Sequence, residues 1–217
     1  MKNKKVIIAV PRGRILEESK KILNKTNFAP DKELFSKDSR KLTFSSIDPN
    51  ISYIKVRAFD VCTFVAFGAA HVGIAGDDVI QEFDYSEVYT PLNLKIGQCR
   101  LSVAALKLLL KDEDPNTWSN IRIATKYPNI TKKYFAEKGV QVEAIKLNGS
   151  MELAPSLLMC RRIVDLVSSG KTLKENGLKE IEKIIDVQSK LIVNRSAYKT
   201  KALDIESIIK SFSKIVK

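Results

Sequence analysis

The segment Asp165-Leu166-Val167-Ser168-Ser169-Gly170-Lys171-Thr172-Leu173 gathers residue types that hold a phosphate monoester. The apolar run Ile163 to Val167 predicts a buried strand that delivers one carboxylate, Asp165, to a turn. That turn carries hydroxyls at Ser168, Ser169 and Thr172, a glycine at 170 and a lysine at 171. Phosphate oxygens need several short-range donors converging on them. Backbone N–H groups in a glycine-permitted turn supply them, and hydroxyls add more. The Gly-x-x-x-x-Gly-Lys-Ser/Thr spacing of a Walker A loop is missing. A plain strand-to-helix turn with capping serines uses the same residues, and the local pattern leaves both readings open.

Arginines form a second constellation. Arg12 and Arg14 flank Gly13 after the first apolar run, Arg57 follows the run Ile51 to Val56, and Arg40 precedes Leu42 to Phe44. Guanidinium groups grip phosphate oxygens through paired donors and stay charged at any working pH. Strand ends in open α/β sheets are also where ligands bind. Any one of these arginines alone would read as a solvated or ion-paired surface side chain.

Other chemistries have little material. His71 is the only histidine, which excludes His-x-x-x-His metal sites and leaves little room for a hydrolase triad. Cys62, Cys99 and Cys160 are scattered and odd in number, arguing against a disulfide framework and for a reducing cytoplasm. The formal net charge of +12 suits phosphorylated small molecules, nucleic acid or an anionic membrane. Its lysines are spread at helical spacings, as in Lys179/Lys183 and Lys210/Lys214, and aromatics are not interleaved with them as on a single-strand binding platform. The apolar runs are too short to span a membrane, and the amino-terminal one stops at Pro11-Arg12-Gly13-Arg14, too soon for a secretory leader.

The elements that must position these residues alternate between two periods. Strand-like runs are expected at Lys5–Val10, Ile51–Val56, Val72–Ala75, Arg100–Ala105, Ile121–Thr125, Gln141–Leu147 and Ile163–Val167. Helical spacing is expected at Arg14–Leu23, at Phe59–Phe67 with Val61, Phe64 and Val65 on one side, and from Asp77 or Asp78. Further helices are expected from Asn129 or Thr131 to Lys138, and over Ile205–Val216. A polar connector containing Pro115 is expected over Lys111–Asn120. The alternation predicts an α/β fold with mostly parallel sheets over 217 residues, enough for one large domain or two lobes.

The chain resembles ATP phosphoribosyltransferase from near its first strand to about Arg195. The resemblance is carried by Val10-Pro11-Arg12-Gly13-Arg14, Val56-Arg57-Ala58-Phe59-Asp60, Phe67 to Asp78, Ile121 to Pro128 and Gly149 to Pro155. Its strongest part is Asp165 to Leu173, continuing into Lys174-Glu175-Asn176-Gly177-Leu178. Three departures accompany it: His71 stands where the family usually has aspartate, and Arg12 where lysine is common. In Leu158-Met159-Cys160-Arg161-Arg162, residues 158, 160 and 161 replace glycine, alanine and aspartate, expected to add two cations near the site.

The resemblance implies a two-lobed fold like type II periplasmic binding proteins, with a cleft between lobes. The first lobe would comprise residues 1–95 plus 185–217, and the inserted second lobe 96–184. It implies transfer of phosphoribosyl from 5-phosphoribosyl 1-diphosphate to N1 of ATP with release of pyrophosphate, the first step of histidine biosynthesis. Arg57 and Arg40 are then expected to be catalytic, and Arg12 with Gly13 to bind ATP or pyrophosphate. Asp165, Ser168, Ser169, Gly170, Lys171, Thr172 and Glu152 are expected to bind phosphoribosyl diphosphate. Magnesium would arrive on substrate, with no protein side chain assigned to it. The short form of the family fits a chain ending at Lys217. It implies a regulatory subunit resembling histidyl-tRNA synthetase and a homodimer within a hetero-oligomer. The competing readings are a non-catalytic two-lobed binding protein for a small anion and a basic nucleic-acid-binding protein.

Overall fold

The computed structural model describes residues 5–108 and 118–216; most of the connector expected over Lys111–Asn120 lies outside the described residues. In chain order come β1 (Val6–Pro11), α1 (Arg14–Leu23), β2 (Thr43–Ser45), β3 (Ile51–Val56), α2 (Val61–Ala66), β4 (Val72–Gly76), α3 (Asp77–Phe83), β5 (Val88–Asn93) and β6 (Cys99–Leu106). There follow β7 (Asn120–Thr125), α4 (Pro128–Ala136), β8 (Gln141–Lys146), α5 (Leu153–Ser156), β9 (Arg162–Val167) and α6 (Lys171–Glu175). The chain closes with β10 (Leu178–Val187), β11 (Ser189–Asn194), α7 (Arg195–Thr200) and α8 (Ala202–Val216). Two compact units result, Met1–Gly97 with Gln188–Lys217, and Gln98–Val187.

The first unit is built on a six-stranded sheet in the order β2-β3-β1-β4-β11-β5. Strand β1 is parallel to β3 and β4, while β2, β11 and β5 join antiparallel. Strand β4, VGIAG, is buried throughout, as expected of a strand covered on both faces. Gly73 allows that cover to close: a Cβ there would lie 2.8 Å from Val61 Cγ1 and 2.9 Å from Val65 Cγ2 on α2. The buried face of α2 is Val61, Cys62, Val65 and Ala66. Phe64, expected to share it, points out at 38% exposure, because its position on the wheel lies opposite the centre of that face. On the other side Ile205, Ile208 and Phe212 of α8 enter the core at helical spacing, with the Phe212 ring 5.9 Å from that of Phe28.

The second unit carries a five-stranded sheet in the order β10-β6-β9-β7-β8. Here β7 is parallel to β8 and β9, and β6 runs antiparallel between β9 and β10. A cluster including Met151, Ala154, Ile163, Val167 and Leu173 forms a core against it. Both sheets are thus mixed, with parallel pairing centred on β1 and β7. The helix over Pro128–Ala136 begins at Pro128, with Tyr127 as its cap residue, not Asn129 or Thr131. Thr131 sits inside the first turn and turns its hydroxyl back onto the Tyr127 carbonyl at 2.6 Å. Among the described residues no helix is long and apolar enough to cross a membrane.

Candidate active site

In the first unit the parallel strands set two arginines side by side. Pro11 is in register with Val56, and the Arg12 N–H donates to the Val56 carbonyl at 2.9 Å. Arg12 and Arg57 therefore leave adjacent strands at the same C-terminal edge, both exposed. Gly13, at φ +87°, is the cap residue of α1 and turns the chain there in a conformation that residues with a Cβ avoid. A depression of about 440 Å³ opens beside it, lined by Arg12, Gly13, Arg14, Ser36, Lys37 and Lys55 among others. Arg40 is exposed on the segment leading to β2, outside the residues lining the depression.

Lys55 is the residue that the sequence did not single out. It follows Ile51 and Tyr53 on the buried face of β3, at 6% exposure. Its ammonium donates to the Leu34 carbonyl at 3.0 Å and the Ser36 carbonyl at 3.3 Å, and lies 5.0 Å from the centre of the Phe44 ring. Burial, with help from the nearby Arg12 charge, lowers its pKa below the ordinary lysine value. The available signal was the phase of the strand: a cation at an inward position needs carbonyl or anionic company. The depression is thus a cationic, donor-rich pocket suited to phosphate oxygens.

His71 lies at the other end of this sheet. Its Nδ1 accepts from the Ile7 N–H at 3.0 Å, and its backbone joins Ile7 and Asn194. The imidazole closes the N-terminal edge of the parallel strands, a strand length from Arg12 and Arg57.

In the second unit the C-terminal ends of β8 and β9 lead to the other predicted residues. Gly170 has φ +75° and ψ 4°, the left-handed conformation the turn requires, and is the cap residue of α6. Ser168, Ser169, Lys171 and Thr172 are exposed around it. The Ser169 hydroxyl accepts from the Lys171 N–H at 3.4 Å, while Lys171 stands 3.8 Å from Glu175. Asp165 is half-buried on β9, its carboxylate accepting from the Leu166 N–H at 2.8 Å. Glu152 is half-buried and precedes α5. Its neighbours Met151 and Ala154 share a core cluster with Val167 and Leu173, which bracket the turn. The two segments stand on one hydrophobic base.

The two added arginines fall elsewhere. Arg161 and Arg162 stand at the start of β9, the opposite end from the turn, so they are not the nearby cations expected of them. Arg162 is also buried, its guanidinium carbon 3.6 Å from the centre of the Trp118 ring. Leu158 adopts φ +59° while 90% exposed, a left-handed conformation in which a glycine would carry no Cβ strain.

Comparison with known proteins shows the family of the whole chain. The family model "ATP phosphoribosyltransferase" matches residues 57–214. A relative from Rhodospirillum rubrum named ATP phosphoribosyltransferase is 56% identical over 96% of this chain and 92% of its own. Another of that name, from Paramagnetospirillum magneticum, is 55% identical over 97% of this chain and 96% of its own. A solved chain of the "ATP phosphoribosyl transferase (HisG:HisZ) complex from Thermotoga maritima" has a TM-score of 0.82 at 30% identity, covering 97% of this chain and 98% of that one. The chain belongs to the ATP phosphoribosyltransferase family.

Proposed function

We propose that the residues described above serve the family's reaction as follows. The chain transfers phosphoribosyl from 5-phosphoribosyl 1-diphosphate to N1 of ATP and releases pyrophosphate, opening histidine biosynthesis. The turn Ser168–Thr172 cradles the 5′-phosphate, Asp165 holds the ribose hydroxyls, and Glu152 approaches the same sugar. Arg12, Gly13, Arg40 and Arg57 serve ATP and the departing pyrophosphate, with Lys55 and Lys37 adding positive potential beside Arg12. The observation that carries this reading is the left-handed Gly170 among three hydroxyls at the end of a parallel strand, where phosphate sites are built.

The attacking nitrogen already has a lone pair, so the attack needs no strong base. Negative charge builds on the leaving pyrophosphate and positive charge spreads over the ribose ring. Fixed guanidinium groups answer the first and carboxylates the second. The gathered side chains are largely cations and hydroxyl donors, which fit phosphate oxygens better than a metal. Magnesium would then arrive bound to the diphosphate and supply further charge neutralisation there.

The Thermotoga chain belongs to a HisG:HisZ complex by its title. We extend this to a regulatory subunit resembling histidyl-tRNA synthetase for the present chain, with a homodimer inside a cytoplasmic hetero-oligomer. The test mixes the chain with ATP, phosphoribosyl diphosphate and magnesium, with and without that subunit, and follows pyrophosphate. ATP-dependent release is expected; none in either mixture would remove the assignment.

A further inference from the structure

One guanidinium outside the sites described above ties the start of the phosphate turn to β10, across β6 in the same sheet. Arg100, on β6, is in register with Val167, the last residue of β9. Its Nη1 donates to the Ser168 carbonyl at 3.2 Å. Its other edge is locked: Nε meets Glu180 Oε1 at 2.6 Å and Nη2 meets Glu180 Oε2 at 2.5 Å. The buried Ser102 hydroxyl donates to the same Oε1 at 2.8 Å. Glu180 lies on β10, where the ladder slips between Glu180 and Glu182. A fork-to-fork pair of this kind fixes the guanidinium plane, not merely its position.

The consequence runs through peptide geometry. The Ser168 carbonyl and the Ser169 N–H belong to one trans peptide unit and point in opposite directions. Holding the oxygen therefore aims the hydrogen. A phosphate turn needs its N–H groups turned to the ligand and its carbonyls turned away, since a rotated peptide would present a negative dipole end to an anion. We infer that Arg100 is a positioning residue for phosphoribosyl diphosphate: gripped by Glu180, it holds the Ser168 carbonyl and so aims the Ser169 N–H at the 5′-phosphate. Arg100 holds the Glu180 carboxyl below its ordinary pKa, so the grip persists through neutral pH. The inference rests on the turn being the phosphate cradle.

The test is calorimetric titration of the full chain with magnesium phosphoribosyl diphosphate, together with steady-state kinetics. Arg100→Lys keeps the charge but cannot hold both partners. The dissociation constant for phosphoribosyl diphosphate should rise about tenfold, the loss of about one charge-assisted hydrogen bond. KM for ATP and kcat at saturation should stay within about twofold. Glu180→Gln gives the opposing-sign control. If Arg100 merely attracted anions, neutralising Glu180 would unmask it and tighten binding; if it positions the turn, binding weakens, by about fivefold. Unchanged or tighter binding in Glu180→Gln overturns the inference, as does full affinity in Arg100→Lys. Gly170→Val separates the two ideas: affinity lost there but kept in the other two sinks the clamp alone. Affinity kept in all three, with the melting temperature of Gly170→Val also unchanged, sinks the cradle and the clamp with it.

Discussion

Replacing Gly170 by valine tests the proposed phosphate turn with little packing contribution. A Cβ at Gly170 would meet only Val167 Cγ1, at 3.9 Å, which is ordinary contact. The cost is therefore conformational: φ is +75°. A residue bearing a Cβ pays about 1–2 kcal/mol to sit there, and a β-branched one more. That cost must appear in one of two places. If the turn keeps its shape, the folded state bears it, and the melting temperature falls by roughly 2–8 °C at about 2–4 °C per kcal/mol for a chain of this size. If the turn relaxes, stability is spared and ligand binding must restore the strained shape. The dissociation constant for phosphoribosyl diphosphate then rises about 5- to 30-fold, at about 1.4 kcal/mol per factor of ten. The turn is exposed at Ser168, Ser169 and Lys171, which favours the second route. Gly170→Asn should recover much of the loss, because asparagine tolerates left-handed backbone. Calorimetry and thermal melts on the three proteins decide it. A valine variant with both affinity and melting temperature unchanged would refute the reasoning.

Arg57→Ala should lower kcat by about 100-fold or more while raising KM much less, if Arg57 meets the departing pyrophosphate; unchanged turnover in steady-state assays removes it from that role. Lys55→Met would strand the Leu34 and Ser36 carbonyls that the ammonium satisfies. Urea denaturation should report a loss of about 1–3 kcal/mol, and KM for ATP should rise; equal stability would contradict the burial argument. Gly73→Ala forces a methyl against Val61 and Val65 and should cost about 1–3 kcal/mol, read as a lower melting temperature with phosphoribosyl diphosphate affinity kept. His71 accepts from the Ile7 N–H only while Nδ1 is unprotonated, and burial, then the Lys201 charge, lowers its pKa from 6.5. A depressed folded pKa means the contribution is complete above the unfolded value and lost as pH falls toward the folded one. Stability measured from about pH 7.5 to about pH 5 should therefore decline below pH 6.5, and His71→Asn should flatten that decline.

What was legible in the sequence is what a short window can hold. The run Ile51–Val56 alternates, and its inward residues Ile51 and Tyr53 announce the strand; Arg14–Leu23 shows its apolar stripe just as locally. The turn at 168–172 was legible because its hydroxyls and its left-handed glycine are contiguous. Strands β5, β10 and β11 were not, for different physical reasons. Strand β11 is buried at nearly every position, so its inner residues cannot alternate. Strand β10 has two register slips, which break the period of two just where LKEIEKIIDV would have displayed it. Within such segments a charged residue reads as surface.

The same limit applies to the supporting groups of the site. Lys55 looks like the polar half of an alternating strand until Leu34 and Ser36 are seen to close over it, 21 and 19 residues away. Arg100 and Glu180 are separated by 80 residues and meet only because β6 pairs with both β9 and β10. A residue that touches ligand must be of a type that suits the ligand, and type can be read from the chain. A residue that aims another needs only the right partner, and the partner is chosen by strand order. Recognition chemistry is therefore written in composition and spacing, whereas its alignment is written in topology. In the proposed site that division falls between Gly170, visible in one turn, and Arg100, which acquires its meaning only when the sheet closes around it.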